Sequence, residues 1–399
     1  MVGGIRFNRR ELSGSLGDLG TLLPIAIGLI LINGLNPVGL FLSIGISYIF
    51  TGLFFKVTVP IQPMKVIGAY AIATGISGQH ILASGVLMGI ILLVIGVTGA
   101  ITVIGKYIPK AVVRGVQLTT GIILVAQGVR FIIGSSKFQI LRNAAEPYLF
   151  VQNLGPIPIG IIIGVIAGLL TLALLENKRF PAGLLVVLGG MIFGAILGTH
   201  EGLNEIRLGV HLPEILPLGM PDTDDFIFAM VVLVLPQIPM TLGNAVISYV
   251  DLSKEYFGEL SKRVTYSSSC TSMALINFFS FIFGGMPLCH GAGGLAAHYR
   301  FGARTCGSNL IIGIALTLLA FFIGGDFISV FYLIPMSVLG VLLIFAGSQL
   351  ALTIIDIRER KGLFIALTMM GITLASNLAA GFIAGIIVAY ILKSERFSV

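Results

Sequence analysis

Residues 58–65 read Thr58-Val59-Pro60-Ile61-Gln62-Pro63-Met64-Lys65, and residues 284–294 read Gly284-Gly285-Met286-Pro287-Leu288-Cys289-His290-Gly291-Ala292-Gly293-Gly294. Each interrupts apolar sequence of nearly membrane-spanning length. Two prolines three apart among β-branched residues cannot continue a helix from a membrane surface. The first stretch is therefore expected to be extended up to Pro63, with Pro63 in the first turn of a short helix. Proline and repeated glycine forbid a stable full-length helix in the second. Extended backbone at membrane depth is tolerated only where it lines a protein cavity.

The sequence around these two breaks is that of a membrane protein. Charged residues are 10% of the chain, against about 25% in an ordinary soluble domain. Hydrophobic residues are 56%, and mean hydropathy is +1.04. A soluble chain of 399 residues cannot bury that much apolar surface. A soluble enzyme, a nucleic-acid binder and a disordered scaffold are excluded, and the continuous apolar runs argue against a β-barrel. No nucleophile–base pair, metal-ligand spacing or phosphate loop occurs, so no catalytic residue, metal or cofactor is expected. Cys270, Cys289 and Cys306 read as packing residues. The first ten residues carry three Arg, yet no small-residue cleavage site follows the apolar stretch.

Fourteen apolar segments are predicted. The first half has 12–33, 36–55, 58–77, 80–104, 109–133, 155–175 and 181–199. A polar stretch, 200–224, follows, and then 225–250, 264–284, 286–302, 307–324, 327–350, 363–377 and 379–392. With the N-terminus inside, 19 of the 24 Lys and Arg fall on the cytoplasmic side. Arg130, Lys137, Arg142 and Arg207 fall outside, Lys65 falls within a span, and the external 200–224 loop is acidic. Both termini are thus expected to be cytoplasmic, in a cell membrane.

The halves match at a nearly constant offset. Ser15-Leu16-Gly17-Asp18 aligns with Thr241-Leu242-Gly243-Asn244, Val59-Pro60-Ile61 with Met286-Pro287-Leu288, Ile108-Pro109 with Ile334-Pro335, and Gly121 with Gly347. Seven segments per half is odd, so the second half enters the membrane from the opposite side. That is an inverted repeat, as in secondary transporters, with residues 1–199 and 225–399 as its halves and 200–224 as an extracellular linker. Substrate in such folds binds near the midplane on broken helices, here the third and tenth segments. Inversion points two half-helix N-termini at each other, each with unpaired N–H groups and partial positive charge, which makes an anion site.

Few polar residues lie at depth. Lys65 either balances a bound anion, or snorkels to the cytoplasm or pairs with Asp18. Asp18, among Gly14, Gly17 and Gly20, is a structural carboxylate or the group that carries a coupling proton or cation. Gln62 and Gln237 are neutral donors to an oxyanion or helix–helix glue. His290 heads the glycine-rich half-helix, where it can donate or titrate. Met64, Lys65, His290, Gly291, Ala292, Gly293 and Gly294 bring backbone N–H groups to the candidate site. Arg300 and Arg304 read as cytoplasmic flanks, and Arg130 as a flank or part of an access path.

GSLGDLGT (14–21), VPIQPMK (59–65), PQIPMTLGNAVIS (236–248) and MPLCHGAGGLAAHYRFGART (286–305) closely resemble the signature segments of the molybdate transporter family, which is related to the sulfate permeases and to uracil permease. The resemblance covers nearly the whole chain in order. It implies an all-α membrane protein with a core domain (1–107 and 225–324) and a gate domain (108–199 and 325–399), and transport of molybdate. A homodimer and a coupling proton or cation are candidate partners. The family pattern has Gln at His298 and a second Gly at Cys306; both lie past the proposed site. The short tail after Leu392 favours the molybdate branch, since many sulfate permeases continue into a regulatory domain. As the resemblance implies, uracil permeases use carboxylates on the eighth and tenth segments to bind a neutral base; here those segments offer Gln237, Asn244 and His290, so an acceptor-rich tetrahedral oxyanion is the expected ligand. Sulfate and tungstate share that chemistry, and an anion channel is the alternative class.

Overall fold

The structure, a computed structural model, describes residues 4–101, 109–177 and 181–393. Residues 102–104 of the fourth apolar stretch, Ile108 of the repeat match, and Lys106, Lys178, Arg179 and Arg396 lie outside the described residues.

Each apolar stretch carries helix. The first half contains α1 (Arg9–Ser15), α2 (Leu19–Asn33), α3 (Pro37–Phe55), β1 (Gln62–Pro63), α4 (Lys65–Thr74), α5 (Gly78–Thr98), α6 (Lys110–Ile133), α7 (Ile159–Leu174) and α8 (Ala182–Leu197). The second contains α9 (Thr223–Ser261), α10 (Tyr266–Ile282), β2 (Leu288–Cys289), α11 (Ala292–Arg300), α12 (Gly307–Ile323), α13 (Met336–Ala351), α14 (Arg360–Ala375) and α15 (Leu378–Leu392). Six described helices are long and apolar enough to cross a bilayer, or seven if the bent α1–α2 pair is one span. α4, α7, α8 and α15 are shorter apolar helices.

Three expected spans depart from a single regular helix. The 12–33 stretch breaks between α1 and α2 with a bend of 40°. Gly14 and Gly17 press against the backbone of Ala303 and Ala297 there, leaving no room for a Cβ. The 225–250 stretch belongs to a longer helix, α9, which is π-helical over Ala229–Val234 and Thr241–Ser248. Pro236 and Pro239 lie between, and the lost amide donors loosen the bond register on either side. The 327–350 stretch splits into a short helix, Phe327–Phe331, and α13, which starts directly after Pro335. The polar 200–224 stretch lies across the ends of α10 and α12, with Leu216 N bonding Ile282 O at 2.7 Å and His211 N bonding Phe321 O at 2.8 Å.

Long-range packing pairs elements of the two halves. α5 packs along α10, α3 along α12, and α6 along α13. At the α6–α13 crossing, Gly121 and Gly347 meet backbone to backbone, and a Cβ on either would collide with the other's carbonyl oxygen. Close approach of this kind is what glycine permits between membrane helices.

β1 and β2 pair antiparallel, with Gln62 opposite Cys289 and Pro63 opposite Leu288. Met64 N extends the pairing by donating to Pro287 O at 2.9 Å. Pro63 therefore sits in the strand, not in the first turn of α4 as expected, and the helix begins at Lys65. Two buried asparagines satisfy the backbone on either side. Asn309 accepts from Val59 N at 2.9 Å and donates to Val59 O at 2.8 Å; Asn277 does the same for Leu288, at 3.0 and 2.8 Å. Extended chain is stable here because nearly every polar group has a protein partner.

Candidate functional site

Because β1 and β2 run antiparallel, the half-helices that follow them, α4 and α11, leave in opposite directions. A cavity of about 370 Å³ adjoins this crossing. One wall carries Asp18, Thr21, Gln62, Lys65, Asn244 and Gly293; the other is formed by α6, α7, α8, α13 and the turn Leu352–Asp356 after it, and carries Gln117, Thr171, Phe345, Gln349 and Thr353. Asp18 and Asn244, matched in the sequence repeat, thus line the same space.

The two half-helix N-termini differ. That of α4 is filled by protein: Gln237 Oε1 accepts from Val66 N at 3.0 Å and Ile67 N at 3.3 Å. Gln237 Nε2 in turn donates to Thr241 Oγ1 at 2.8 Å. α11 has no capping side chain, and its first intrahelical bond runs from Leu295 N to Gly291 O. The amides of Ala292, Gly293 and Gly294 precede that bond and have no intrahelical acceptor. A Cβ built on Gly293 meets nothing within 4 Å. This helix start is therefore open toward the cavity at Gly293, while Gly291 and Gly294 lie against Gln62 and Asp18.

Lys65 is partly buried in the cavity wall and makes no ion pair or hydrogen bond among the described residues. Asp18 is buried and accepts from Gln62 Nε2 at 2.6 Å. Gln62 Oε1 is buried without a partner among the described residues. Gly294 fits beneath this pair: a Cβ there would lie 2.7 Å from Asp18 Oδ2 and 2.8 Å from Gln62 Nε2.

Of the candidates from the sequence, Asp18, Gln62, Lys65 and Gly293 come together on one wall. Met64, Gly291, Ala292 and Gly294 are the backbone behind it, and Gln237 acts through α4. The His290 ring turns away. Its Nε2 pairs with Ser272 Oγ at 3.0 Å and its Nδ1 with Pro60 O at 3.1 Å, against Phe55 and Tyr249. His298 is also buried outside the cavity, with Nδ1 at 3.0 Å from Thr58 Oγ1. Arg300 donates to Leu175 O at 3.1 Å, and Arg304 covers the Tyr299 ring. Arg130 ends α6 away from the cavity.

Sequence reasoning missed Gln117. Its Oε1 accepts from Arg114 Nη1 at 2.7 Å and from Thr353 Oγ1 at 2.9 Å. Arg114 is itself ion-paired to Asp356. With the oxygen held twice, the amide NH₂ is the group Gln117 has left to offer the cavity. Arg114 and Gln117, three apart in an apolar helix, were the available signal.

Comparison with known proteins agrees with this architecture. The family described as "Molybdate transporter of MFS superfamily" matches residues 10–124 and 229–350, more than half of the chain. Molybdate transporter 1 of Arabidopsis thaliana is 30% identical over 418 residues, covering 97% of this chain and 89% of the relative. Molybdate transporter 1 of Chlamydomonas reinhardtii is 29% identical over 471 residues, covering 94% and 90%. In fold, the chain is similar to the transmembrane domain of the cyanobacterial bicarbonate transporter BicA, with a TM-score of 0.64 at 17% identity, covering 96% of this chain and 98% of that one. It is also similar to the murine Solute Carrier 26 family member A9 anion transporter in the inward-facing state, with a TM-score of 0.67 at 14% identity, covering 98% and 69%. The chain is a polytopic helical membrane protein that belongs to the molybdate transporter family.

Proposed function

We propose that the protein is a secondary active transporter that imports molybdate, held between Lys65 and the open N-terminus of α11. The observation that carries this reading is Lys65 itself. A cation at membrane depth with no direct ion pair, and only the charge of Asp18 nearby, is costly, and a dianion in the cavity lowers the cost. The amides of Ala292, Gly293 and Gly294 supply donors and the positive end of a helix dipole. Gln117 Nε2 and Asn244 Nδ2 offer neutral donors from two sides. A tetrahedral dianion accepts hydrogen bonds in all directions and suits a wall of donors.

Asp18 is the coupling candidate. As a carboxylate it repels a dianion; protonated, it does not. A proton entering with the substrate therefore lowers the repulsion, which is the requirement for symport. The repeat offset, the pairing of α5 with α10 and α3 with α12, and the Gly121–Gly347 crossing support fourteen segments in two inverted repeats. In that arrangement α1–α5 and α9–α12 form the core, α6–α8 and α13–α15 form the gate, and both termini are cytoplasmic. The cavity between core and gate is the transport site.

Uptake of labelled molybdate by proteoliposomes tests the proposal. The expected flux saturates, rises with an inward proton gradient, is competed by tungstate and is untouched by uracil. Competition by sulfate ranks it against molybdate. A flux that never saturates identifies a channel and contradicts the transporter reading.

A further inference from the structure

A second cavity lies apart from the first. A cleft of about 680 Å³ is bounded by the start of α6, the turn 356–359 before α14, and the end of α15. Lys110, Arg358, Lys361 and Lys393 line it, against Asp356 and Glu359. Asp356 is already paired with Arg114 from outside the cleft. Among the described residues, none of the four cations has a carboxylate partner. Among the described residues, Lys110 and Lys361 reach only backbone carbonyls, of Asp356 and Leu392, and Lys393 lies over the Tyr390 ring. The described residues of the cleft therefore carry a surplus of positive charge, at helix ends where Lys and Arg concentrate.

Its floor is apolar. Ile365, Ala389 and Leu392 are buried beneath the cations. Tyr390 lines the cleft and is 45% exposed, and it continues into Ile383, Ile387 and Ile391, exposed along the same side of α15. Spacings of three and four make these residues one stripe. A soluble anion has no use for that stripe. A phosphate carrying an acyl chain uses both parts.

We propose that this cleft binds an anionic phospholipid, with its headgroup phosphate among Lys110, Arg358, Lys361 and Lys393 and an acyl chain along Ile383, Ile387 and Ile391. Basic pockets between membrane helices on the cytoplasmic side suit such headgroups. The inference is independent of the substrate assigned to the first cavity. It places the lipid two contacts from that cavity, since Asp356 pairs with Arg114 and Arg114 bonds Gln117.

The test uses the purified full chain in an uncharged detergent. Its thermal unfolding is followed while phosphatidylglycerol, phosphatidylcholine of the same acyl length, or inorganic phosphate is added. Phosphatidylglycerol is expected to raise the Tm by several degrees at saturation, while the other two leave it unchanged. Each cation removed is expected to weaken apparent affinity about fivefold, so the combined variant Lys110→Gln, Arg358→Gln, Lys393→Gln loses about a hundredfold. Equal stabilisation by phosphatidylcholine overturns the charge argument. Equal stabilisation by inorganic phosphate makes the cleft a soluble-anion site and overturns the lipid assignment. An unchanged response in the combined variant places the lipid elsewhere. If the combined variant unfolds, Arg358→Gln alone carries the test, because that side chain makes no hydrogen bond among the described residues.

Discussion

Asp18 Oδ2 accepts a hydrogen bond of 2.6 Å from Gln62 Nε2, while Lys65, whose charge acts on Asp18, makes no direct ion pair with it among the described residues. This separates two roles that the sequence left joined. A cation serving only to neutralise Asp18 is expected in direct contact with it; with the amide in that contact, the proposed reading leaves the Lys65 ammonium to meet a ligand.

Replacing Lys65 with Met is expected to weaken molybdate binding about a hundredfold, the effect of removing one partner of a buried charge pair. The Tm should hardly change, since no native ion pair is lost. Adding Asp18→Asn should not restore binding. Calorimetric titration of both variants checks this, and recovery of affinity in the double variant would return Lys65 to the role of Asp18's partner. Asp18→Asn alone should bind molybdate but take it up without response to a proton gradient.

Gly293 and Gly294 are adjacent but should fail differently. The side chain of Gly293→Val enters open cavity, so uptake is lost while the protein stays folded. Gly294→Ala pushes a methyl against Asp18 and Pro60, each 2.7 Å from the new Cβ. Overpacking of that kind costs about 1–3 kcal/mol and should appear as a lowered Tm. Normal uptake by Gly293→Val would put the ligand elsewhere.

Gln117 predicts a donor on the gate side. Gln117→Glu replaces the NH₂ with a second acceptor beside a dianion, while Arg114 remains available to the new carboxylate. Molybdate affinity should fall more than tenfold with little change in Tm, measured by titration and thermal unfolding. An unaltered affinity would remove Gln117 from the site.

Glu146, in the loop before α7, accepts from Met336 N at 2.8 Å and Ser337 N at 2.9 Å and so caps α13. Burial pushes its carboxyl up from the usual 4.5 to about 7, against the opposing pull of the Ser337 and Met336 bonds. Between these values the folded protein holds a proton that the unfolded chain has released. This stabilisation is full below the unfolded value and is lost as pH rises through the folded one. The shift corresponds to about 3 kcal/mol. The Tm of the protein relative to its Glu146→Gln variant should fall between pH 5 and pH 7.5. A constant difference would show that Glu146 does not titrate in that window.

The helices and the two breaks were legible because proline and glycine punctuate otherwise apolar sequence. Pro60, Pro63 and Pro287 mark chain that cannot be helical, and β1 and β2 lie there. Their pairing joins residues more than 200 apart in sequence, and nothing local to Gln62 specifies Cys289 as its neighbour. The π-helical turns of α9 were hidden because a uniformly apolar helix gives no phase from which to read a change of period. The same lack of phase concealed Gln117, on an apolar helix whose cavity-facing side has no distinct pattern. His290 heads the glycine run, but its side-chain direction is decided by Ser272 and by the Pro60 carbonyl, which only the fold brings close.

The most direct measurement locates the anion. Tungstate has the shape and charge of molybdate and scatters strongly enough to be placed by anomalous diffraction from crystals of the protein. The account predicts one dominant tungsten peak within hydrogen-bonding reach, through its oxygens, of Lys65 Nζ and the amides of Gly293 and Gly294, lost in Lys65→Met. A peak elsewhere in a protein that still transports molybdate would contradict it.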